Sequence, residues 1–134
     1  MTPAAIVEKL REFFRLEAGD IVAAYLYGSV ARSTARVGSD VDVAVLHATT
    51  PPTTLDALPL DLEHRLRLLV GRPAQVIVLN TAPPGLVHRV LRDGVLLLDR
   101  SPTERIRFEV KARNEFFDLQ PMAARYRRPP VPLP

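Results

Sequence analysis

Two short stretches of this chain combine residue types that could do chemistry. Tyr27-Gly28-Ser29-Val30-Ala31-Arg32 is a Gly-Ser turn at the start of a short helical stretch, and Ser39-Asp40-Val41-Asp42-Val43-Ala44-Val45 places two carboxylates at i, i+2 at the head of an apolar run. Alternate residues of a strand project to one face, about 7 Å apart along the chain. Asp40 and Asp42 can therefore converge on one divalent cation while Val41 and Val43 turn to the core. A Gly-Ser turn at a helix start offers backbone N–H groups and a hydroxyl to a phosphate. Together the two stretches suit a nucleoside triphosphate and its metal. The plainer alternative for the aspartates is a solvated turn ahead of a strand, because exposed acids are common.

The elements that must position these residues follow from apolar periodicity. Ile6, Val7, Leu10, Phe13 and Phe14 recur at helical spacing over residues 4–17, and Gly19-Asp20 ends that helix. Ile21 to Tyr27 reads as a strand, Gly28-Ser29 opens a short helix to about Ser33, and Val41 to Leu46 is a second strand after a loop. Thr49 to Thr54 is a breaker-rich loop. Leu62, Leu66 and Leu69 mark a helix from about Leu60 that Gly71 can terminate. Ala74 to Leu79 is a third strand. Pro83-Pro84 leads a helix through Leu86, Val87, Val90 and Leu91 that Asp93-Gly94 closes, and Val95 to Leu98 is a fourth strand. A long helix from Thr103 to about Tyr126 is expected to turn Ile106, Val110 and Phe117 to the core and to break or kink at Pro121. The alternation predicts an α/β protein with a small mixed β-sheet packed with helices. Residues 1–128 form one domain, and 129–134 a Pro-rich extended tail.

Composition narrows the function classes. The chain has 134 residues, enough for one core, and 47% of them are hydrophobic, so it is no disordered chain. Without cysteine there are no disulfides or thiolate metal sites, and oxygen ligands must do any metal binding. No apolar run approaches the roughly 18 residues of a membrane span and no signal peptide is evident, so a cytoplasmic protein without a membrane partner is expected. The net charge of +3 resides in residues 100–134, with eight Lys/Arg against four Asp/Glu, whereas residues 1–99 hold ten against eleven. A basic tail could touch RNA or an acidic partner, but a solvated helix face accounts for it, and nucleic acid is not expected as a direct partner. His47, His64 and His88 show no i, i+4 ligand pair, which argues against zinc.

The order Gly-Ser, gap, Asp-x-Asp resembles the signature of the DNA polymerase beta-like nucleotidyltransferase superfamily. The form GSVARSTARVGSDVDVAVL is most similar to the minimal nucleotidyltransferases (MNT) that act as antitoxins beside HEPN-domain RNase toxins. The likeness extends over residues 5–128, through the stretch from Arg72 to Gly94 and the helix from Phe108 to Tyr126. It implies a nucleotidyltransferase fold with a long C-terminal helix. It implies too that Asp40 and Asp42 are the catalytic, metal-ligating pair for Mg2+, that Gly28 and Ser29 grip the triphosphate of ATP, and that Arg32 or Arg36 neutralises it. Ser39 would orient Asp40 by capping the turn, or be an ordinary loop serine. The implied activity is transfer of AMP from Mg-ATP to a tyrosine of a cognate HEPN toxin. The family's third carboxylate, general base and metal ligand, falls at Gln75 here, and no Asp or Glu lies between Arg72 and Val87. Glutamine cannot accept a proton at neutral pH. Two other functions therefore stand beside the first: a weakened MNT-fold antitoxin that inhibits its toxin by direct binding, and modification of an aminoglycoside-type small molecule, whose enzymes usually carry a further domain.

Overall fold

A computed structural model describes residues 1–17, 19–34 and 39–127, with side chains described as far as residue 118. The Thr2 hydroxyl caps α1 (Pro3–Leu16) by accepting from the Ala5 amide, and Pro3 suits the first turn. Strand β1 (Ile21–Tyr27) runs directly into α2 (Gly28–Ala31), and β2 (Val41–His47) follows. A loop with a 3-10 turn at Leu55–Ala57 leads to α3 (Leu60–Val70), which Gly71 ends in the left-handed conformation, φ 65°. Then come β3 (Ala74–Val78), a second 3-10 turn (Leu79–Thr81), α4 (Pro84–Asp93), β4 (Val95–Asp99) and α5 (Pro102–Arg127).

The sheet order is β3-β2-β1-β4, with β2 and β3 parallel and the other pairs antiparallel. Helices cover both faces. Val41, Val43, Val45, Ala24, Leu26 and Val76 face α1 and α3, whose Ile6, Leu10, Phe14 and Leu66 are fully buried. Ala23, Tyr25, Ala44 and Leu46 face α4 and α5. Because both sides are covered, β2 is buried from Val41 through Leu46 with one exception, Asp42. No helix among the described residues is long and apolar enough to cross a membrane.

One expectation about α5 fails, and the break allowed for at Pro121 does not occur. Ile106, Val110 and Phe117 do not turn to the core; they are 50%, 49% and 57% exposed. The inward side carries Phe108 and Ala112 together with a polar group. There the Tyr25 hydroxyl donates to Glu109 Oε1 at 2.9 Å, and Arg105 Nη1 donates to the same oxygen at 3.0 Å. Arg105 Nε lies 3.0 Å from Asp99 Oδ2, an ion pair outside hydrogen-bonding geometry, and Asp99 Oδ1 is buried without a partner. A buried phenol needs a polar partner. Meeting Tyr25 with Glu109 therefore rotates the helix away from its most apolar stripe. Burial first, then the bond to Glu109, raises the Tyr25 hydroxyl well above its ordinary value. The helix also continues through Pro121 to Arg127. Proline removes one donor from the ladder, and the turns on either side carry the helix past it.

The end of α1 is tied to α3 by Arg65, whose two terminal nitrogens donate to the Glu17 oxygens at 2.7 and 2.9 Å. That bond holds the Glu17 carboxyl below its ordinary 4.5. A depressed carboxyl contributes stability above its unfolded pKa and loses it as pH falls through the folded value. Arg65 is 40% exposed, so screening limits the effect. Glu17→Gln should cost about 1 kcal/mol at neutral pH in urea unfolding, and the gap to the unsubstituted chain should close as pH falls through the lowered folded pKa of Glu17. An equal gap above and below that pKa would remove the ion pair as its cause.

Candidate nucleotide and metal site

The two motif stretches meet through one residue. Gly28 has φ +76°, which lets the chain leave β1 and enter α2 without a loop. It is also covered: a Cβ there would overlap Asp42 Oδ2 and sit 3.3 Å from Asp42 Cγ. The Asp42 carboxylate thus lies against the Gly-Ser turn, and no side chain caps the first amides of α2.

Strand register completes the row. Asp42 is paired with Tyr27 on one side and Gln75 on the other, so Gln75, Asp42 and Tyr27 stand abreast. Along β2 Asp42 alternates with Ala44 and Leu46, which places this row on the face covered by α4 and α5. Burial first, then the charge of Asp40, raises the Asp42 carboxyl above its ordinary value. Asp40 itself is exposed just ahead of the strand, next to half-buried Ser39. Two neighbouring carboxylates, one half-buried against open amides, form an oxygen donor set of the kind a hard divalent cation takes. Asp40 and Asp42 therefore fit a divalent cation of the kind the sequence resemblance implies. Among the described residues no third His, Cys, Asp or Glu joins them to make a three-ligand cluster. Gln75, exposed beside Asp42, supplies an amide at that place.

Two arginines lie around the α2 and α4 end of the site. Arg32 caps the end of α2, and its charge reaches Asp93 at the end of α4, whose carboxyl is held low chiefly by the bond from Arg92. Arg89 of α4 is felt at Tyr27. The Tyr27 hydroxyl is raised by burial and then by Asp42, while Arg89 opposes that rise. The position of α4 depends on Gly94, where a Cβ would overlap the Val90 carbonyl and come within 3.4 Å of the Leu26 carbonyl. Arg89 had no signal in the sequence, since only the packing of α4 on β1 brings its charge to Tyr27.

The fold thus gathers Gly28, Ser29, Asp40 and Asp42, with Arg32 at the edge; Arg36 lies outside the described residues, as does the tail from 129 to 134. The histidines sit apart from the row. His47 ends β2 at its far end, His64 is on α3, and His88 stacks on Phe116 with ring centroids 3.9 Å apart.

The polymerase beta nucleotidyltransferase family matches residues 8–103. The chain belongs to that family. No curated protein matches it. Among solved structures, a toxin-antitoxin with AMP-PNP aligns with TM-score 0.76 at 24% identity, covering 90% of this chain and 94% of the other. A tri-AMPylated Shewanella oneidensis HEPN toxin in complex with MNT antitoxin aligns with TM-score 0.72 at 22% identity, covering 93% and 95%. The toxin-antitoxin MntA-HepT aligns with TM-score 0.71 at 21% identity, covering 92% and 94%. These likenesses establish the nucleotidyltransferase fold, as the sequence resemblance implied.

The half-buried, like-charged environment of Asp42 separates function from stability in this nucleotidyltransferase. Asp42→Asn removes a carboxylate whose charge burial and Asp40 disfavour, so the variant without ligand should melt at the same temperature or higher. Mg-ATP at a hundredfold its Kd should stabilise the unsubstituted chain by about 2.7 kcal/mol, and the Asn variant should lose that gain. Thermal unfolding with and without Mg-ATP reads both; a retained gain would remove Asp42 from the site. Gly28→Ala should also lose the gain, because its Cβ displaces the carboxylate, and it carries a backbone cost of about 1–2 kcal/mol.

Proposed function

We propose that this chain is an antitoxin-type nucleotidyltransferase that transfers AMP from Mg-ATP to a tyrosine of a cognate HEPN toxin. The observation that carries the reading is the seating of the Asp42 carboxylate on Gly28 with Asp40 beside it. Family membership supports nucleotidyl transfer, and the solved neighbours, toxin-antitoxin complexes with an AMPylated toxin in one and AMP-PNP in another, support the substrate and partner.

In this reading the amides of Gly28 and Ser29 bind the triphosphate, with Arg32 and Arg89 neutralising it. Asp40 and Asp42 would hold magnesium, which when bound supplies charge stabilisation at the reacting phosphate. The phenolic oxygen attacks the alpha-phosphorus in line, an O–P bond forms, and the bond to the beta-phosphate oxygen breaks to release pyrophosphate. Ser39 orients Asp40. Gln75 cannot take the phenolic proton, which leaves to solvent. Transfer should therefore rise with pH toward the phenol's own pKa of about 10. Gln75→Asp should raise the rate at neutral pH at least about tenfold, since a positioned base contributes about 10² to 10⁴. It should also flatten the pH profile.

A second reading is supported by that same position: an antitoxin that retains the fold and inhibits by contact, needing no nucleotide. The intact mass of a co-encoded HEPN protein after incubation with this chain and Mg-ATP distinguishes the two. A gain in AMP units, lost with Asp40→Asn/Asp42→Asn, upholds the transferase. An unmodified toxin held in a stable complex without RNase activity would replace it with the binding antitoxin.

A further inference from the structure

Beside the candidate site lies an apolar cleft of about 470 Å³ for which the nucleotide reading has no use. Leu55 and Leu58 of the loop before α3 form one wall, Pro83 and Leu86 at the start of α4 the other, and Ile77 of the edge strand β3 lines it between them. No charged residue lines it. Leu55 is 84% and Leu58 50% exposed, so two large aliphatic side chains stand at its rim with little covering them.

The cleft and the catalytic row are joined by two elements. Along β3, Ile77 is the next residue after Gln75 on the same face, about 7 Å away. Along α4, Leu86 precedes Arg89 by about one turn. From the cleft, β3 leads to the side of Asp42 where Gln75 stands, and α4 leads to Arg89, whose charge reaches Tyr27 on the other side. A triphosphate has no counter-charge in such a lining. Strand addition to β3 is hindered as well, because the outward Val76 amide already donates to Glu63 Oε1 at 3.0 Å. What the cleft offers is burial of an uncharged apolar side chain.

We propose that this cleft is the acceptor-docking subsite, seating an aliphatic or aromatic anchor of the protein segment that carries the modified residue. The inference rests on the transfer reading above and adds where the acceptor is held. An extended chain advances about 3.3 Å per residue, so the anchor lies about two to four residues from the acceptor tyrosine. The uncharged lining selects against an acidic or basic residue at that place.

Leu55→Glu and Leu58→Glu test it, with Leu58→Met as the conservative control. Both positions are exposed, and unchanged thermal unfolding checks the fold. The probe is the co-encoded HEPN protein, with acceptor affinity measured by calorimetry without nucleotide, KM and kcat for transfer, and Mg-ATP affinity measured separately. Each glutamate should raise the acceptor's Kd and KM about tenfold or more, while kcat and ATP affinity stay within about twofold and Leu58→Met behaves as the unsubstituted chain. Unchanged acceptor affinity in both glutamate variants would overturn the proposal. A fall in ATP affinity would overturn it too, by giving the cleft to the nucleotide. If the unsubstituted chain transfers nothing, a loss of acceptor affinity in the glutamates still upholds the docking subsite while the transfer reading fails.

Discussion

The contact of the Asp42 carboxylate with Gly28 is the constraint on which the rest of the site depends. It requires a residue without Cβ at the end of β1, and the same residue must take a positive φ for the chain to enter α2 at once. It fixes the register of β1 and β2, because only the pairing of Tyr27 with Asp42 brings the carboxylate over the turn. A slip of one residue would turn Asp42 into the core and Val41 or Val43 out of it. The buried valines and the half-exposed acid thus enforce one register. A half-buried carboxylate beside a second one disfavours its own charge, which is poor design for stability and suitable for receiving a cation.

The parts of this arrangement that were legible in the sequence are those fixed by neighbours along the chain. The strands at Ile21–Tyr27 and Val41–His47 are short apolar runs between breakers, Gly71 ends α3 as a left-handed cap, and Asp40, Asp42, Gly28 and Ser29 sit within a single motif. The parts that were not legible depend on what packs across space. The rotation of α5 is set by Tyr25, Glu109 and Arg105, a polar group whose members lie on different elements, and apolar periodicity gives the wrong side. Arg89 enters through the docking of α4 on β1 at Gly94. At Pro121 the helix does not break.

Gln75 gives the site its particular character. It stands in the row with Asp42, where it can position a neighbouring group but cannot carry a proton. In the proposed transfer, catalysis without a base at that place would lean on charge stabilisation and on holding the acceptor in line. An apolar cleft one pleat further along the same strand suits that division of labour. Binding energy from a side chain remote from the phosphorus would position the reacting oxygen, which is where such energy raises rate.

The central claim is that Asp40 and Asp42, over the Gly-Ser turn, form a metal and nucleotide site. Anomalous diffraction from crystals grown with Mn2+ and a non-hydrolysable ATP analogue tests it most directly. The account predicts a peak about 2.1 Å from carboxylate oxygens of both Asp40 and Asp42, with the triphosphate against the Gly28 and Ser29 amides. A bound analogue with no metal between the two carboxylates, or a metal and triphosphate seated elsewhere on the fold, would contradict it.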